Sequence, residues 1–357
     1  MKHKIWVLAV ALCIIALLVF LACGLIFGGF ERWFAPAECR HVFEISTRKA
    51  EISTPYSSEG CARLQTAFRL AENEIRRVDL LVSPRQESSE IARFNDADPG
   101  VEIPMSADTL ALLRIARQYY DVTGGAFDIT LEPVIEIWRE ARQNSLLPLD
   151  ESLQAARENS GWSNIIFSMD GIRKKQYPGR IHLQAIAKGY SIDRAVQSLI
   201  HGGLPQGRVS VRGCTRVFGE SEAMLTVTDL KDASRQILVF GLRNAASGSS
   251  GNPSRFFKID DHLFSHIIDP RTLRPSQYLT QAIAVAPSAM TADAWATALA
   301  VMGVEGFDIL PAEVSAFIQV QVEDTVHYYA NRAFTNLILH SNIDIQVLEA
   351  SPPSPAP

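Results

Sequence analysis

The chain has 357 residues, with 34 Lys and Arg side chains against 39 Asp and Glu, and a formal net charge of −5. This length allows one large domain or two of ordinary size, with a substantial core. The slight acidity and the absence of basic clusters argue against nucleic acid as a partner.

The N-terminal segment has the pattern of a membrane anchor. Residues 5–30 carry no charged side chain, and a stretch of that length can cross a bilayer as a helix. Lys2 and Lys4 precede it, so the positive-inside tendency puts the N-terminus in the cytoplasm and the remainder outside. We predict an anchor or signal segment over 1–30 and a connector over 31–41, at an inner membrane with the rest facing the periplasm or the outside. A cleaved signal peptide and lipid attachment at Cys23 are alternatives.

Helices are predicted next from apolar spacing and capping residues. A helical period covers 61–82, and Ser106 predicts the cap of a second helix ending at Gly124 and Gly125. Further helices are expected around Ile135 and Trp138, over 153–158, and over 187–201, where the last has the buried stripe Ile192, Ala195, Val196, Leu199 and Ile200.

Strands are mixed among these helices. A strand is expected near 42–53 and a hairpin with its turn at Asp170 and Gly171. Alternating or β-branched runs predict more strands in RVSVRG, RQILVFGLR, FFKIDDHLFSHII and QAIAVA, and a terminal hairpin in AFIQVQVEDTVHYYA. Because there is no steady βαβ rhythm, we predict an α+β domain over 42–345. The segment 346–357, ending in SPPSPAP, has too little apolar content to fold and is expected to be a disordered tail.

The stretch SAMTADAWATALAVMG, 288–303, predicts a helix that carries polar oxygens on one face. Asp293 and Thr297 lie four residues apart and project one turn above the other. One interpretation is a capped, solvated face, since Asp is favourable near a helix start. The other is a hard-cation site, because carboxylate and hydroxyl oxygens are ligands of the Mg²⁺ type.

Three other stretches could bind anions or carry an acid. In AIAKGYSID, Lys188 at the first turn of a helix, beside Gly189, suits phosphate, although a surface lysine is the alternative. AASGSSG, 245–251, is a Ser/Gly loop that could hold phosphate or ribose, or is only a linker. TGGAFD puts Asp128 after a flexible double glycine, which is also how a helix ends.

The stretch SHIIDPRT places His266 and Asp269 three residues apart before Pro270. A histidine with a carboxylate could serve as the general base for a hydroxyl, whereas a lone buried histidine is the alternative. Cys39, Cys61 and Cys214 have neither CxxC nor zinc spacing. One pair of them could bridge in an oxidising compartment, and the sequence does not say which.

Taken in order, these stretches resemble the ApbE family of FAD:protein FMN transferases. The matching runs are SPRQESSEIARFN, TGGAFDITLEPVIEIW, IAKGYSIDRA, ASGS, SHIIDPRTLRP and TADAWATALAVMG. The resemblance implies an ApbE-like, T-fold-like α+β domain in two parts. It also implies FAD as substrate, Mg²⁺ as cofactor, and Mg²⁺-dependent transfer of FMN to a Thr or Ser hydroxyl of an exported or membrane redox protein, with release of AMP.

The resemblance also implies roles for individual residues. The metal ligands are the Ala185 carbonyl, Asp293 and Thr297, and the catalytic residues are His266 and Asp269. FAD binding is assigned to Ser89, Glu90, Asp128, Lys188, Asp193, Ser247, Gly248 and His266.

The chain departs from the family pattern mainly where the flavin and the adenosine would be bound. Ile45, Ser46 and Thr47 replace Met-Gly-Thr, and Leu273 replaces a glycine. The other departures are Arg85 in place of an aromatic residue, His182 to Ala185 in place of Asp-Leu-Gly-Gly or Asp-Leu-Gly-Ala, Arg212 and Gly213 in place of a glycine pair, and Ala246 to Gly248 in place of Thr-Ser-Gly. Two alternative functions remain. The same site with water as nucleophile would make an FAD pyrophosphatase giving FMN and AMP, and the departures motivate a flavin-binding protein with weakened catalysis.

Overall fold

The computed structural model describes residues 38–45, 48–55, 60–84, 86–251, 256–276 and 279–349. The apolar run over 5–30 lies outside these ranges, as do Ser46, Thr47 and Arg85. Within them, no helix combines the length and the apolar character that a membrane crossing requires.

Most of the helices match the predicted ones, but those over 90–96 and 332–335 were not predicted. The helices are α1 (Gln65–Val82), α2 (Glu90–Asp96), α3 (Ala107–Val122), α4 (Glu132–Asn144), α5 (Asp150–Glu158), α6 (Gln184–His201), α7 (Ala289–Met302) and α8 (Arg332–Thr335). Short 3₁₀ helices cover Cys61–Leu64, Trp162–Asn164 and Gly303–Ile309. Ser106 caps α3 by accepting a hydrogen bond from the Thr109 N–H, as predicted.

Two expectations for α6 are wrong. The helix begins at Gln184, three residues before the predicted start, so Lys188 lies in its second turn rather than its first. Ile200 is 50% exposed and is not part of the buried stripe, because it lies about 100° around the helix from the buried Leu199.

Nineteen strands form in the described part of the chain. They are β1 (Glu38–Ile45), β2 (Arg48–Pro55), β3 (Ile103–Pro104), β4 (Ile165–Phe167), β5 (Gly171–Lys174), β6 (Gly207–Val211), β7 (Cys214–Phe218), β8 (Glu222–Thr228), β9 (Gln236–Arg243), β10 (Ala246–Ser250), β11 (Phe257–Ile259), β12 (His262–Phe264), β13 (Ile268–Asp269), β14 (Arg274–Pro275), β15 (Leu279–Ala286), β16 (Ser315–Val322), β17 (Thr325–Asn331), β18 (Ile338–Ser341) and β19 (Gln346–Leu348).

The sheets confirm the α+β prediction. A nine-stranded sheet has the order β1-β2-β6-β7-β10-β15-β16-β17-β19, and only its β17–β19 pair is parallel. Two three-stranded sheets (β18-β9-β8 and β3-β5-β4) and two two-stranded ribbons (β11-β12 and β13-β14) complete the described strands.

Both predicted domain boundaries differ from the structure. The connector was expected to reach residue 41, yet β1 begins at Glu38. The tail was expected from 346, yet β19 pairs with β17 through Gln346, Val347 and Leu348. Each difference has the same cause, because pairing with a neighbouring strand orders a segment whose own composition is weakly apolar.

The large sheet has a different neighbour on each face. Along β15, Ala282, Ala284 and Ala286 belong to the main core with the helices, while Ile283 and Val285 belong to a second core with β8 and β9. This is the period of two that a strand requires. A third, smaller core lies around α4 and includes Leu131, Trp138, Phe257 and Leu273.

Helix α7 is held close to its neighbours by small residues. A Cβ added at Gly189 on α6 would lie 2.2 Å from the Ala289 carbonyl oxygen. One added at Gly248 on β10 would lie 2.5 Å from the Ala292 carbonyl carbon and oxygen. Both glycines therefore allow backbone approach that no larger residue permits. The run 245–251 is thus mainly a buried strand against α7, and the prediction of a Ser/Gly loop there is wrong.

The cysteine pairing that the sequence left open is Cys39 with Cys61. The disulfide joins β1 to the 3₁₀ helix that precedes α1, across 22 residues of sequence. Cys214 is a buried free thiol.

Candidate active site

The centre of the site is a buried ion pair between α6 and α7. The Lys188 Nζ lies 2.9 Å from Asp293 Oδ1, and the Gly189 N–H donates to Asp293 Oδ2 at 3.1 Å. Asp293 is 3% exposed. The lysine is therefore neither a surface residue nor a free cation at a helix end, because its ammonium neutralises the one carboxylate that α7 buries.

Burial governs the acidity of both partners. Burial raises the pKa of Asp293 above its usual value, and the attraction of Lys188 offsets this only in part. Burial alone would lower the pKa of Lys188, but the Asp293 carboxylate reverses this and raises it. The lysine therefore remains a cation at neutral pH, held in place by the carboxylate.

A cleft of about 290 Å³ opens beside this pair. Five of the predicted catalytic, FAD-binding and metal-binding residues line it, namely Ala185, Lys188, His266, Asp293 and Thr297. They come from α6, from α7 and from the segment before β13, which are far apart in sequence. Thr297 lies one turn beyond Asp293, as its spacing predicts, and its Oγ1 donates to the Asp293 carbonyl oxygen at 3.1 Å.

Asp269 does not line this cleft. Its carboxylate accepts from Arg271 Nη2 at 2.8 Å and Nε at 3.0 Å, and from the Arg271 backbone N–H at 2.8 Å. These contacts stabilise the turn between β13 and β14, so the structure gives Asp269 a structural partner and does not bring it to the Asp293 pair.

Four of the predicted FAD-binding residues make local structural contacts. Ser89 caps α2 through the Ala92 N–H, and Glu90 accepts from the Ser106 N–H and hydroxyl. The side chain of Asp128 is 0% exposed and pairs with Arg157 at 3.2 Å. Asp193 accepts hydrogen bonds from the Ala289 and Met290 N–H groups at the start of α7. It also pairs with Arg216.

Ser247 and Gly248 also lie away from the cleft surface, because β10 places them in the buried part of the sheet. The residues that follow them, Ser249, Ser250 and Gly251, line the cleft instead. The lining residues therefore directly follow the predicted pair in the same segment.

Two arginines that line the cleft were not among the predicted site residues. Arg48 begins β2, and Arg212 lies in the turn between β6 and β7. The sequence marked Arg212 only as a departure from a glycine pair. What brings the two arginines together is the pairing of β2 with β6, which no local pattern reveals.

The donor set suits a magnesium ion that is shared with a phosphate-bearing substrate. The described residues contain no group of three or more His, Cys, Asp and Glu side chains that could hold a metal by themselves. Mg²⁺, however, commonly uses one or two carboxylates together with substrate phosphates and water. Asp293 and Thr297 offer a carboxylate and a hydroxyl on the same cleft, and each Asp293 oxygen can accept beyond its present contact.

Together, the fold and the cleft define an α+β domain with a polar cleft whose lining includes Arg48 and Arg212. The model of the ApbE family matches residues 44–318, and the chain belongs to this family.

Relatives of known name agree with this assignment. An FAD:protein FMN transferase of Vibrio cholerae is 28% identical over 331 residues, covering 89% of this chain and 97% of the relative. One of Escherichia coli K12 is 27% identical over 241 residues, covering 64% of this chain and 68% of the relative. The relatives are transferases by name, and this protein is a transferase of their family.

Solved structures support the fold. The apo form of the Pseudomonas stutzeri flavinyl transferase ApbE gives a TM-score of 0.74 at 22% identity, covering 84% of this chain and 96% of that one. The ApbE protein of Thermotoga maritima gives 0.74 at 23% identity, with coverage of 84% and 99%.

Proposed function

We propose that this protein transfers FMN from FAD to a Thr or Ser hydroxyl of an exported or membrane redox protein and releases AMP. The observation that carries the proposal is the shared cleft of Lys188, His266, Asp293 and Thr297 in a chain of the ApbE family. Its relatives are named for this transfer, and the cleft has the polar groups that such a reaction uses.

The proposed reaction forms one bond to phosphorus, breaks another and needs a group that accepts a proton. The acceptor hydroxyl oxygen attacks the phosphorus of the FMN half, the bond between that phosphorus and the bridging oxygen breaks, and AMP leaves with the bridging oxygen. The hydroxyl has a high pKa, so it benefits from a base within hydrogen-bond reach. Two histidines line the cleft, His182 and His266, and we assign the proton to His266 because it lies in the stretch that the family resemblance makes catalytic.

Asp293 and Thr297, with the Ala185 carbonyl, are the residues that would hold Mg²⁺. The ion, when bound, neutralises the phosphate oxygens and the charge that develops on them. Lys188 keeps the Asp293 carboxylate in position between α6 and α7, because it fixes one carboxylate oxygen at 2.9 Å.

The test combines purified protein, FAD, Mg²⁺ and a candidate acceptor domain, followed by in-gel flavin fluorescence and AMP measurement. Covalent label with one AMP per flavin attached is the expected result. Free FMN with AMP would instead show an FAD pyrophosphatase, with water in place of the hydroxyl. FAD binding without either product would show a binding protein. An acceptor domain with its Thr and Ser residues changed to Val and Ala is the matched control.

A further inference from the structure

The charged residues that line the cleft carry an excess of positive charge. At the centre, Lys188 and Asp293 form an ion pair, so their charges cancel. The remaining lining residues with a permanent charge are Arg48 and Arg212, and both are positive. The described part of the cleft therefore has an excess of two positive charges that its own carboxylate does not balance.

The two arginines lie at neighbouring strand ends. In the antiparallel pair of β2 and β6, Ala50 lies opposite Val211, and the Arg212 N–H donates to the Lys49 carbonyl at 3.4 Å. Arg48 and Arg212 therefore lie near the paired ends of β2 and β6, and both line the cleft.

Hydrogen bonds from β10 hold the turn that carries Arg212. Gly213 has a φ of +76°, and its carbonyl accepts from the Ser249 N–H at 2.7 Å and the Ser249 hydroxyl at 3.1 Å. A Cβ at Gly213 would lie 2.9 Å from that hydroxyl. The strand β10 thus holds the backbone beside Arg212 while the guanidinium stays exposed to the cleft.

Neither arginine forms an ion pair with a carboxylate among the residues that the structure describes. Guanidinium groups bind phosphate oxygens in a bidentate manner and suit a diphosphate better than an ammonium does. Each phosphate of the bridge in FAD carries one negative charge, and the two arginines supply two positive ones.

We propose that Arg48 and Arg212 bind the diphosphate bridge of the nucleotide substrate and make the cleft prefer FAD over riboflavin. This inference rests on the proposed function, since that function supplies FAD as the substrate. It replaces the prediction that Lys188 with Ser247 and Gly248 holds the phosphates, because Lys188 is paired and the other two residues are buried in β10.

The test is a fluorescence titration of the full-length protein with FAD and with riboflavin. Arg48→Gln and Arg212→Gln are each expected to weaken FAD binding by about 10- to 100-fold, the range for a lost hydrogen bond to a charged group, with little effect on riboflavin. Lys49→Gln is the matched control. This exposed cation lies between the two arginines in the strand pairing and does not line the cleft, and it should leave FAD binding unchanged.

The outcomes separate this inference from the proposed function. Variants that bind FAD like the wild type would overturn the inference, as would a wild-type protein that binds riboflavin as tightly as FAD. If the wild type still labels its acceptor in either case, the proposed function stands alone. Arginine-dependent FAD binding without label or AMP would support the inference and overturn the proposed function.

Discussion

Asp293 is a buried carboxylate whose only cationic side-chain partner within hydrogen-bond distance in the described structure is Lys188. Asp293→Asn removes the charge and leaves the ammonium buried without a counter-ion. Breaking a buried pair in this way costs about 3–5 kcal/mol of stability. Loss of the carboxylate should also lower Mg²⁺-dependent turnover by at least ~10²-fold, as expected when one stabiliser of transition-state charge is removed.

The double variant Asp293→Asn with Lys188→Met separates the two effects. Replacing a buried pair by uncharged residues of similar volume is often neutral for stability. We therefore expect chemical denaturation to show most of the lost stability restored, while turnover stays low. Full activity in Asp293→Asn would rule out the proposed metal role.

His266 is the residue on which transfer, rather than binding, should depend. His266→Ala is expected to slow covalent flavin attachment by roughly 10²–10⁴-fold, the range for one general base, with little change in FAD affinity. A labelling time course beside an FAD titration measures both quantities.

His327→Ala is the matched control, because this exposed histidine on β17 does not line the cleft. If His266→Ala labels at the parental rate, then His266 is structural and the base is another group. If FAD binding collapses together with labelling, His266 holds the ligand.

Lys174 provides a prediction about pH. Its side chain is 1% exposed, and its Nζ donates to the Asn95 carbonyl at 2.9 Å and the Pro178 carbonyl at 3.2 Å, with the Phe94 ring centroid 5.2 Å away. Burial, with a smaller effect of Arg180, lowers its pKa from 10.5 to about 8. Because the unfolded chain binds this proton more tightly, the free energy of unfolding should rise by roughly 1–3 kcal/mol between pH 8 and 10.5.

The measurement is urea unfolding of the wild type and Lys174→Met at several pH values in that interval. The difference between the two proteins cancels groups that titrate in both. As the pH rises, the free energy of unfolding of the wild type should increase relative to that of Lys174→Met. A difference that stays constant would mean that Lys174 titrates normally in the folded protein.

Among the elements, β1 and α1 depend on the Cys39–Cys61 disulfide. The bridge closes a loop of 22 residues, and loop-closure entropy for that length corresponds to about 3 kcal/mol of stability. We expect Cys39→Ser and Cys61→Ser to lower the free energy of unfolding by this amount. Dithiothreitol should lower that of the wild type to the same extent and leave these two variants unchanged. Cys214→Ser is the control for loss of a thiol outside the bridge, and reductant should still destabilise that variant.

The elements also show why sequence reasoning succeeded in some places and failed in others. Helices α1, α3 and α7 were predictable because apolar period and end signals are local properties, as with Ser106 before α3 and Gly303 after α7. Strand β10 was not, because its sequence ASGSS lacks β-branched residues. Its small residues are explained by the close approach of α7, a contact from a distant part of the chain.

The site divides in the same manner. The positions of Asp293 and Thr297 on one helix face follow from spacing, and the family resemblance correctly brought Lys188 and His266 to the same cleft. The Lys188–Asp293 ion pair was not predictable, because it joins residues 105 positions apart (293 minus 188) through the packing of α6 on α7. Asp269, whose catalytic role stays a prediction, does not line the cleft, and Arg271 two residues away binds its carboxylate in a turn.

For the whole molecule, the N-terminal run predicts a location in the cell. We expect the uncharged run 5–30 to hold the protein in the inner membrane with residues 38–349 outside the cytoplasm. Membrane fractionation with protease accessibility tests this, and a variant with two acidic residues placed within 5–30 should lose the membrane fraction. A product that lacks residues 1–30 in cells and keeps full activity would show a cleaved signal segment instead.

The disulfide between β1 and the 3₁₀ helix before α1 also shows whether a molecule folded in an oxidising or a reducing compartment. A chain that stays among reducing thiols keeps both sulfurs free, whereas one that folds among oxidants does not. After denaturation, a bulky maleimide would therefore attach to two more cysteines on the first kind of chain, and the two kinds would separate on a gel. The same gel shows whether protein made in a bacterial cytoplasm contains the Cys39–Cys61 disulfide. This can be checked before any flavin chemistry is measured.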